Sequence, residues 1–469
     1  MTIQLLRKLY IPGLMVKEDL RKGELPGAKE AFSTGFGVAY PAIVETFFIA
    51  LIHMVNTIMV SIMGAGAIAA VGIVGQPLFI VQTLVFSLNA SVTAIAARRR
   101  GQGDADGAAS VLKQGMLLSL IFSVSLSAIA YPLAYPFLAF TGAQSDIIDI
   151  AVGYFRILLL GVPITSLSMT ISAAQRGTGN TRASMRINLV ANIVTITGNF
   201  LLIGGNLGFP RLGVAGAGIS TICGWTAGLT LAIISVSHKG HFLFLFTREH
   251  WRFDKKTVGA MYTVASGAFL EQICMRVGFF MYTRIVAGLG TTMFAAHMIL
   301  SNIISLSFAF GEGFGISASS LVGQNLGAKR PDLSILYGKI CQRMSLISST
   351  VIFIILMLFG GRMVLLYSND PEIIQAAGMI LPIIGLIIYG QASQMIFMGS
   401  LRGAGDTRYI AYVSMVSIMI LRPIIAYVLV YPVGLGLLGG WISFLFDQYL
   451  RLTLTFRRFS SGKWMNIRL

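Results

Sequence analysis

Charge is what this sequence has least of. Asp, Glu, Lys and Arg make up 11% of its 469 residues, against about 25% in a soluble domain. Hydrophobic residues make up 55%, and the mean hydropathy is +0.78. No soluble core could hide that much apolar surface, so bilayer is the expected solvent. Acid is scarcer than base, with 18 Asp and Glu against 35 Lys and Arg. Cysteine is scarce as well. Cys223, Cys274 and Cys341 are odd in number, lie in or beside apolar runs and lack metal-ligand spacing, which reads as reduced packing residues. The phosphate-binding Gly-Lys-Ser/Thr motif is missing, which argues against direct ATP hydrolysis. No Ser or Cys stands in a nucleophile context. The basic, mixed first thirty residues do not read as a cleavable signal.

What is present is a series of apolar runs, each long enough to cross about 30 Å of hydrocarbon. Twelve are expected, near 32–62, 67–97, 110–137, 146–173, 184–205, 213–237, 258–288, 293–321, 335–368, 373–399, 408–432 and 434–456. With both termini in the cytoplasm, and with charges toward span ends counted with the adjoining side, the cytoplasmic side holds 29 of the 35 basic residues and the opposite side only Arg211 and Arg362. Arg156, Arg276, Arg284 and Arg422 fall inside spans. The positive charge is therefore read as a topology signal with contact to anionic lipid, and not as a nucleic-acid footprint.

The chain also repeats itself. Arg176-Gly-Thr-Gly-Asn-Thr-Arg182 is answered by Arg402-Gly-Ala-Gly-Asp-Thr-Arg408, and Glu45 by Glu271, each 226 residues on. Gly64-Ala-Gly66 answers Gly288-Leu-Gly290 at an offset of 224, and Gly101-Gln102 answers Gly323-Gln324 at 222. Six spans per half make the repeat parallel, a plan common in secondary transporters, with the site between the halves. The expected organisation is all-α and polytopic: a segment 1–30, an N-lobe 31–238, a cytoplasmic linker 239–256, a C-lobe 257–459 and a tail 460–469, with the twelve helices around a central cleft.

An ordered set of motifs then resembles one family. These are Val322-Gly-Gln-Asn-Leu-Gly327, the two repeated Arg-Gly segments with Ser400-Leu preceding the second, Asn56-Thr-Ile-Met59 and Leu270-Glu-Gln272. Together they make the chain similar to the multidrug and toxic compound extrusion (MATE) family across nearly its whole length. The resemblance implies an antiporter in the inner membrane. A proton or sodium ion would enter while an organic, often cationic or amphipathic, compound leaves.

An ionisable group at membrane depth is costly, so it is a functional candidate by default. Four acids lie inside spans away from their ends: Glu45, Glu271, Glu312 and Asp447. Glu271 looks like the family's coupling glutamate, with Met275 and Tyr282 on its helical face; its structural alternative is an ion pair with Arg276 or Arg422. Glu45 occupies the mirrored position, with Asn56 on its face. Where family members carry Asp, this chain has Asn56 and Asn199. Asn188, Asn192, Thr195 and Asn199 form one stripe at 0, +4, +7 and +11, expected to line a polar cavity or to bind helices together. Neutral amides cannot carry a proton near neutral pH. Gln391, with Gln394, stands where the sodium-driven branch tends to have Asp. A hard cation favours several oxygen ligands including carboxylate, so the remaining Glu271 suits a proton better than sodium. Glu312, among glycines, is expected to gate, to join the cavity or to pack. Asp447 and Arg451 read as a local i, i+4 ion pair. His238 and His241 have metal-like spacing with only His250 nearby, so no metal is expected, and His53 and His297 read as core residues.

The expectation is a monomeric antiporter without cofactor, coupled to H+ more readily than Na+. A lipid or lipid-linked oligosaccharide flippase is the transport alternative; it would want a more cationic cavity. A membrane-embedded enzyme would need clustered catalytic groups that the spans lack.

Overall fold

A computed structural model describes residues 10–61, 63–141, 147–238, 240–246, 251 and 253–467. The described residues form an all-helical chain dominated by twelve long helices: α1 Ala28–Ser61, α2 Ala65–Gly101, α3 Ala105–Ala130, α4 Ile148–Gly177, α5 Thr181–Gly204, α6 Gly213–Ser235, α7 Lys255–Ala287, α8 Thr291–Gly327, α9 Pro331–Leu365, α10 Pro371–Gly403, α11 Thr407–Val430 and α12 Gly436–Ser460. Among the described residues, eleven of these are long and apolar enough to cross a membrane. The exception is α12, whose charged residues Asp447, Arg451, Arg457 and Arg458 lower its apolar character. In α11 the residues Met415–Leu421 are wound as a π-helix.

Two compact units emerge, residues 47–262 and residues 1–46 together with 263–469. The first half of α1 thus belongs with the second unit. Thr46 donates its hydroxyl to the Ala309 carbonyl of α8 at 2.7 Å, and Gly35 lies against Ile340 and Met344 of α9. Lobes drawn from the repeat alone place this segment with α2–α6; side-chain packing places it with α8–α10.

Packing follows one scheme in both units. In the first, α2 lies on α3 and α4, α4 on α6, and α6 on α5; in the second, α8 lies on α9 and α10, α10 on α12, and α12 on α11. The backbone repeats it in detail. Positive φ angles recur 226 residues apart at Gly64 (96°) and Gly290 (97°), at Gly179 and Gly405 (both 86°), and at Gly208 (83°) and Gly434 (76°). This corrects two sequence pairings. Gly64 matches Gly290 at 226 rather than 224, since both cap the following helix. Gly101 matches Gly327, because α2 and α8 both span 37 residues and end there. Motif spelling had favoured Gly323-Gln324; helix length decides otherwise.

The same register explains a strained residue. Lys329 has φ 60°, where its mirror is Gly103 at 73°. An L side chain in the left-handed region costs about 1–2 kcal/mol. Gly177 is a different case: a Cβ there would meet the Thr93 carbonyl oxygen of α2 at 2.5 Å, so its smallness sets how closely α4 approaches α2. We predict opposite signs. Lys329→Gly should raise the unfolding free energy by about 1 kcal/mol, and Gly177→Ala should lower it by about 1–3 kcal/mol through overpacking, both read by thermal unfolding of the purified protein.

Candidate functional site

The buried acids sort themselves by partner. Glu271, 2% exposed, sits on the inner face of α7. Its Oε1 accepts from Arg402 Nη2 at 2.7 Å, and the Arg402 side chain is 35% exposed. The partner is therefore Arg402, and neither Arg276 nor Arg422. The turn after α10 explains the meeting. Thr407 at the start of α11 donates to the Val264 carbonyl at 2.8 Å, which fixes that turn against α7. Gly267 also lies against Thr407 and Arg408, and Glu271 follows one turn later. Asp406 in the same turn accepts from Arg458 of α12 at 2.7 Å.

Further along that face, Gly278 lets α7 approach the backbone of Ile418 in the π-helical part of α11. Beyond it lies Tyr282, 1% exposed, whose ring centroid is 4.1 Å from the Arg422 guanidinium. Met275 and Arg276 are half-buried. On α12, Arg451 donates to Asp447 at 2.8 Å within the helix. Gln391 and Gln394 of α10 are buried, and Gln391 donates only to Met395 Sδ at 3.8 Å.

Glu312 is exposed on α8. Its glycine neighbours serve close approach and no break: α8 is continuous, and a Cβ at Gly313 would lie 2.6 Å from Ile43 Cα of α1. Glu45 is buried on α1, 4% exposed.

The amide stripe of the first unit is only partly a cluster. Asn199 Nδ2 donates to Asn56 Oδ1 at 2.9 Å, joining α5 to α1. Asn188 and Thr195 instead bond back to their own helix, at the Ser184 and Ala191 carbonyls, and Asn192 is half-buried. The amide pair thus links two helices without any charge.

Histidines contribute little metal chemistry. The His238 and His241 rings are 5.6 Å apart, His250 and the His53 side chain fall outside the described residues, and no group of three or more His, Cys, Asp or Glu suited to a metal occurs among those described. His297 is buried between the rings of Tyr282 and Trp441. Two features escaped the sequence reading. Lys113 of α3, counted there with the topology charges, is wholly buried with its ammonium 5.4 Å from the Trp251 ring. Arg422 is buried under three aromatic rings, a setting that spacing along one helix could not reveal.

A six-helix plan built twice from long apolar helices, with acids and amides buried among them, defines a membrane transporter. The MatE family model matches the chain at residues 41–201 and again at 268–428, the same repeat at an offset of 227. The chain belongs to the MatE family, whose members are transporters. It is 28% identical over 456 residues to a probable multidrug resistance protein NorM of Thermotoga maritima, covering 96% of both chains. It is 25% identical to the multidrug resistance protein MdtK of Photorhabdus laumondii, covering 92% of this chain and 95% of that protein. Among solved structures, an outward-facing multidrug resistance MATE transporter superposes with a TM-score of 0.85 at 19% identity, covering 92% of this chain and 97% of the other. A MATE in a straight conformation gives 0.85 at 20% identity, with the same coverage.

The interhelical amide bond is testable alone. Asn56→Ala and Asn199→Ala should each destabilise by about 1 kcal/mol. Their double mutant should lose less than the sum, with coupling of at least about 0.5 kcal/mol. Additive losses in thermal unfolding would show that the two amides do not hold each other.

Proposed function

We propose that the protein exports organic cationic or amphipathic compounds across the plasma membrane in exchange for protons, by alternating access, with Glu271 as the coupling carboxylate. The ion pair from Glu271 to Arg402 carries the reading. A buried carboxylate is tolerable when paired with a cation or when protonated. Protonation removes the charge that Arg402 holds, and the guanidinium, always charged and one-third exposed, has water to turn to. Each proton gained or lost therefore breaks or makes a link between α7 and the end of α10. The ligand supplies the opposing bias through its different affinity for the two states.

The basic bias places the Arg402 turn on the cytoplasmic side. On that topology Glu271 pairs with Arg402 after discharging its proton inward. The local donor set supports a proton over sodium, which would need several oxygen ligands at a carboxylate already engaged by a guanidinium. Asn56 and Asn199, uncharged and hydrogen-bonded, serve this reading as cavity lining that recognises solute without titrating. Glu45, buried in the mirrored position, is the second candidate for cation coupling.

Glu271→Gln should remain in the membrane yet lose gradient-driven dye efflux from vesicles by about tenfold or more, a loss of about 1.4 kcal/mol or more in driving coupling. Collapse of the proton gradient should stop wild-type efflux, and collapse of the sodium gradient should not. Full efflux by the variant would remove Glu271 from the mechanism, and dependence on sodium alone would replace the coupling ion.

A further inference from the structure

The second unit contains another charged group, as buried as Glu271 and not used by the coupling step. Arg422 is 2% exposed, with its guanidinium carbon 4.1 Å from the ring centroids of both Tyr282 and Phe444 and 5.0 Å from that of Phe279. It interacts electrostatically with both Asp447 and Arg451. Asp447 already accepts from Arg451 at 2.8 Å. Two permanent cations therefore face one carboxylate. Among the other described acids of this unit, Glu271 is bonded to Arg402, Asp406 to Arg458, Glu312 is exposed, and Glu45 is buried in the first half of α1.

The donors around this excess charge are not all used. Nε and Nη1 of Arg422, Nε of Arg451 and Nε1 of Trp441 are buried without a hydrogen-bond partner. Leaving such a group unpaired is costly, more so when it is charged, and an uncompensated buried charge is costlier still. An independent feature marks the same place. The π-helix Met415–Leu421 ends directly before Arg422, and π-turns occur frequently at functional sites. The arrangement is also not a relic of duplication. The residues 226 positions before Arg422, Asp447 and Arg451 are Ile196, Thr221 and Trp225.

We propose that Arg422, with Arg451 and Trp441, forms a binding site for one monovalent anionic group, a halide ion or the carboxylate of an organic solute, inside the second unit. The anion balances the charge, and the surplus N–H groups are its donors. Guanidinium suits this role because it is weakly hydrated and stacks on aromatic faces while its edge stays free to donate.

The test uses the purified full chain in detergent, in chloride-free methanesulfonate buffer. Chloride and, separately, benzoate are titrated while the unfolding temperature and tryptophan fluorescence are followed. A saturable rise of about one degree or more is expected. A response to chloride assigns the site to free halide; a response to benzoate alone assigns it to the anionic end of an organic solute; no response to either overturns the proposal. Asp447→Asn should bind the responding anion about tenfold tighter, since it removes a competing negative charge. Arg422→Gln should lose the response while being no less stable than wild type without anion, because the uncompensated cation is gone. A variant that keeps the response, or Asp447→Asn that only destabilises, would make Arg422 a purely structural partner. Arg422→Lys, which keeps the charge and loses the planar donor edge, should bind more weakly and covers the case in which the Gln variant fails to fold. Glu271→Gln should retain the full anion response, so this site and the coupling step stand or fall separately.

Discussion

A charge inside hydrocarbon has to be paired, wrapped or neutralised, and this protein shows the first two solutions in three places. Asp447 and Arg451 pair within one helix turn. Arg422 is wrapped by three rings. Glu271 pairs with an arginine that keeps a third of its surface in contact with solvent. Scarcity of acid in the composition is the same constraint seen from the sequence, since few carboxylates can be kept at depth and each must have a use or a partner.

Duplication supplies the frame and then recedes from the chemistry. The two halves share helix lengths, turn conformations and packing scheme, down to left-handed residues 226 positions apart. Their interiors differ. The first unit ties α5 to α1 through two neutral amides, and the second carries the buried pairs of Glu271 with Arg402 and Asp447 with Arg451. Backbone close packing depends on small residues at fixed points, so the frame resists change. Inner-face side chains make few such contacts and are free to diverge.

How much of this was legible follows from the range of each signal. Spans, their number and the parallel repeat are carried by local hydropathy and by self-similarity, and both were readable along the chain. Glu271 was found because an acid in an apolar run stands out. Its partner was not found, because Arg402 lies 131 residues away and reads along the sequence as one more basic residue marking topology. The turn that brings it close depends on Thr407 bonding to Val264, a tertiary contact with no periodic trace. The amide stripe shows the opposite failure. Its spacing was regular, yet Asn188 and Thr195 bond to their own preceding turn, as an amide or hydroxyl can, while Asn199 bonds across to Asn56. The register of Gly64 with Gly290 was missed by two residues, because letter similarity does not record φ.

Two arginines of the second unit show how differently a cation can be housed: Arg402 keeps about a third of its side-chain surface exposed, and Arg422 is 2% exposed. A carboxylate that gives up an arginine leaves that cation to find other solvation. Arg402, at the end of α10, can extend its long side chain toward water as basic residues at membrane interfaces do, so losing Glu271 costs it little. Arg422, enclosed by Tyr282, Phe444 and Phe279, has no water to turn to, and its attraction to Asp447 cannot be broken without stranding a charge. Removing the partner carboxylate therefore costs an enclosed guanidinium far more than a partly exposed one. Burial of the cation, more than the identity of the acid, sets what breaking each ion pair costs.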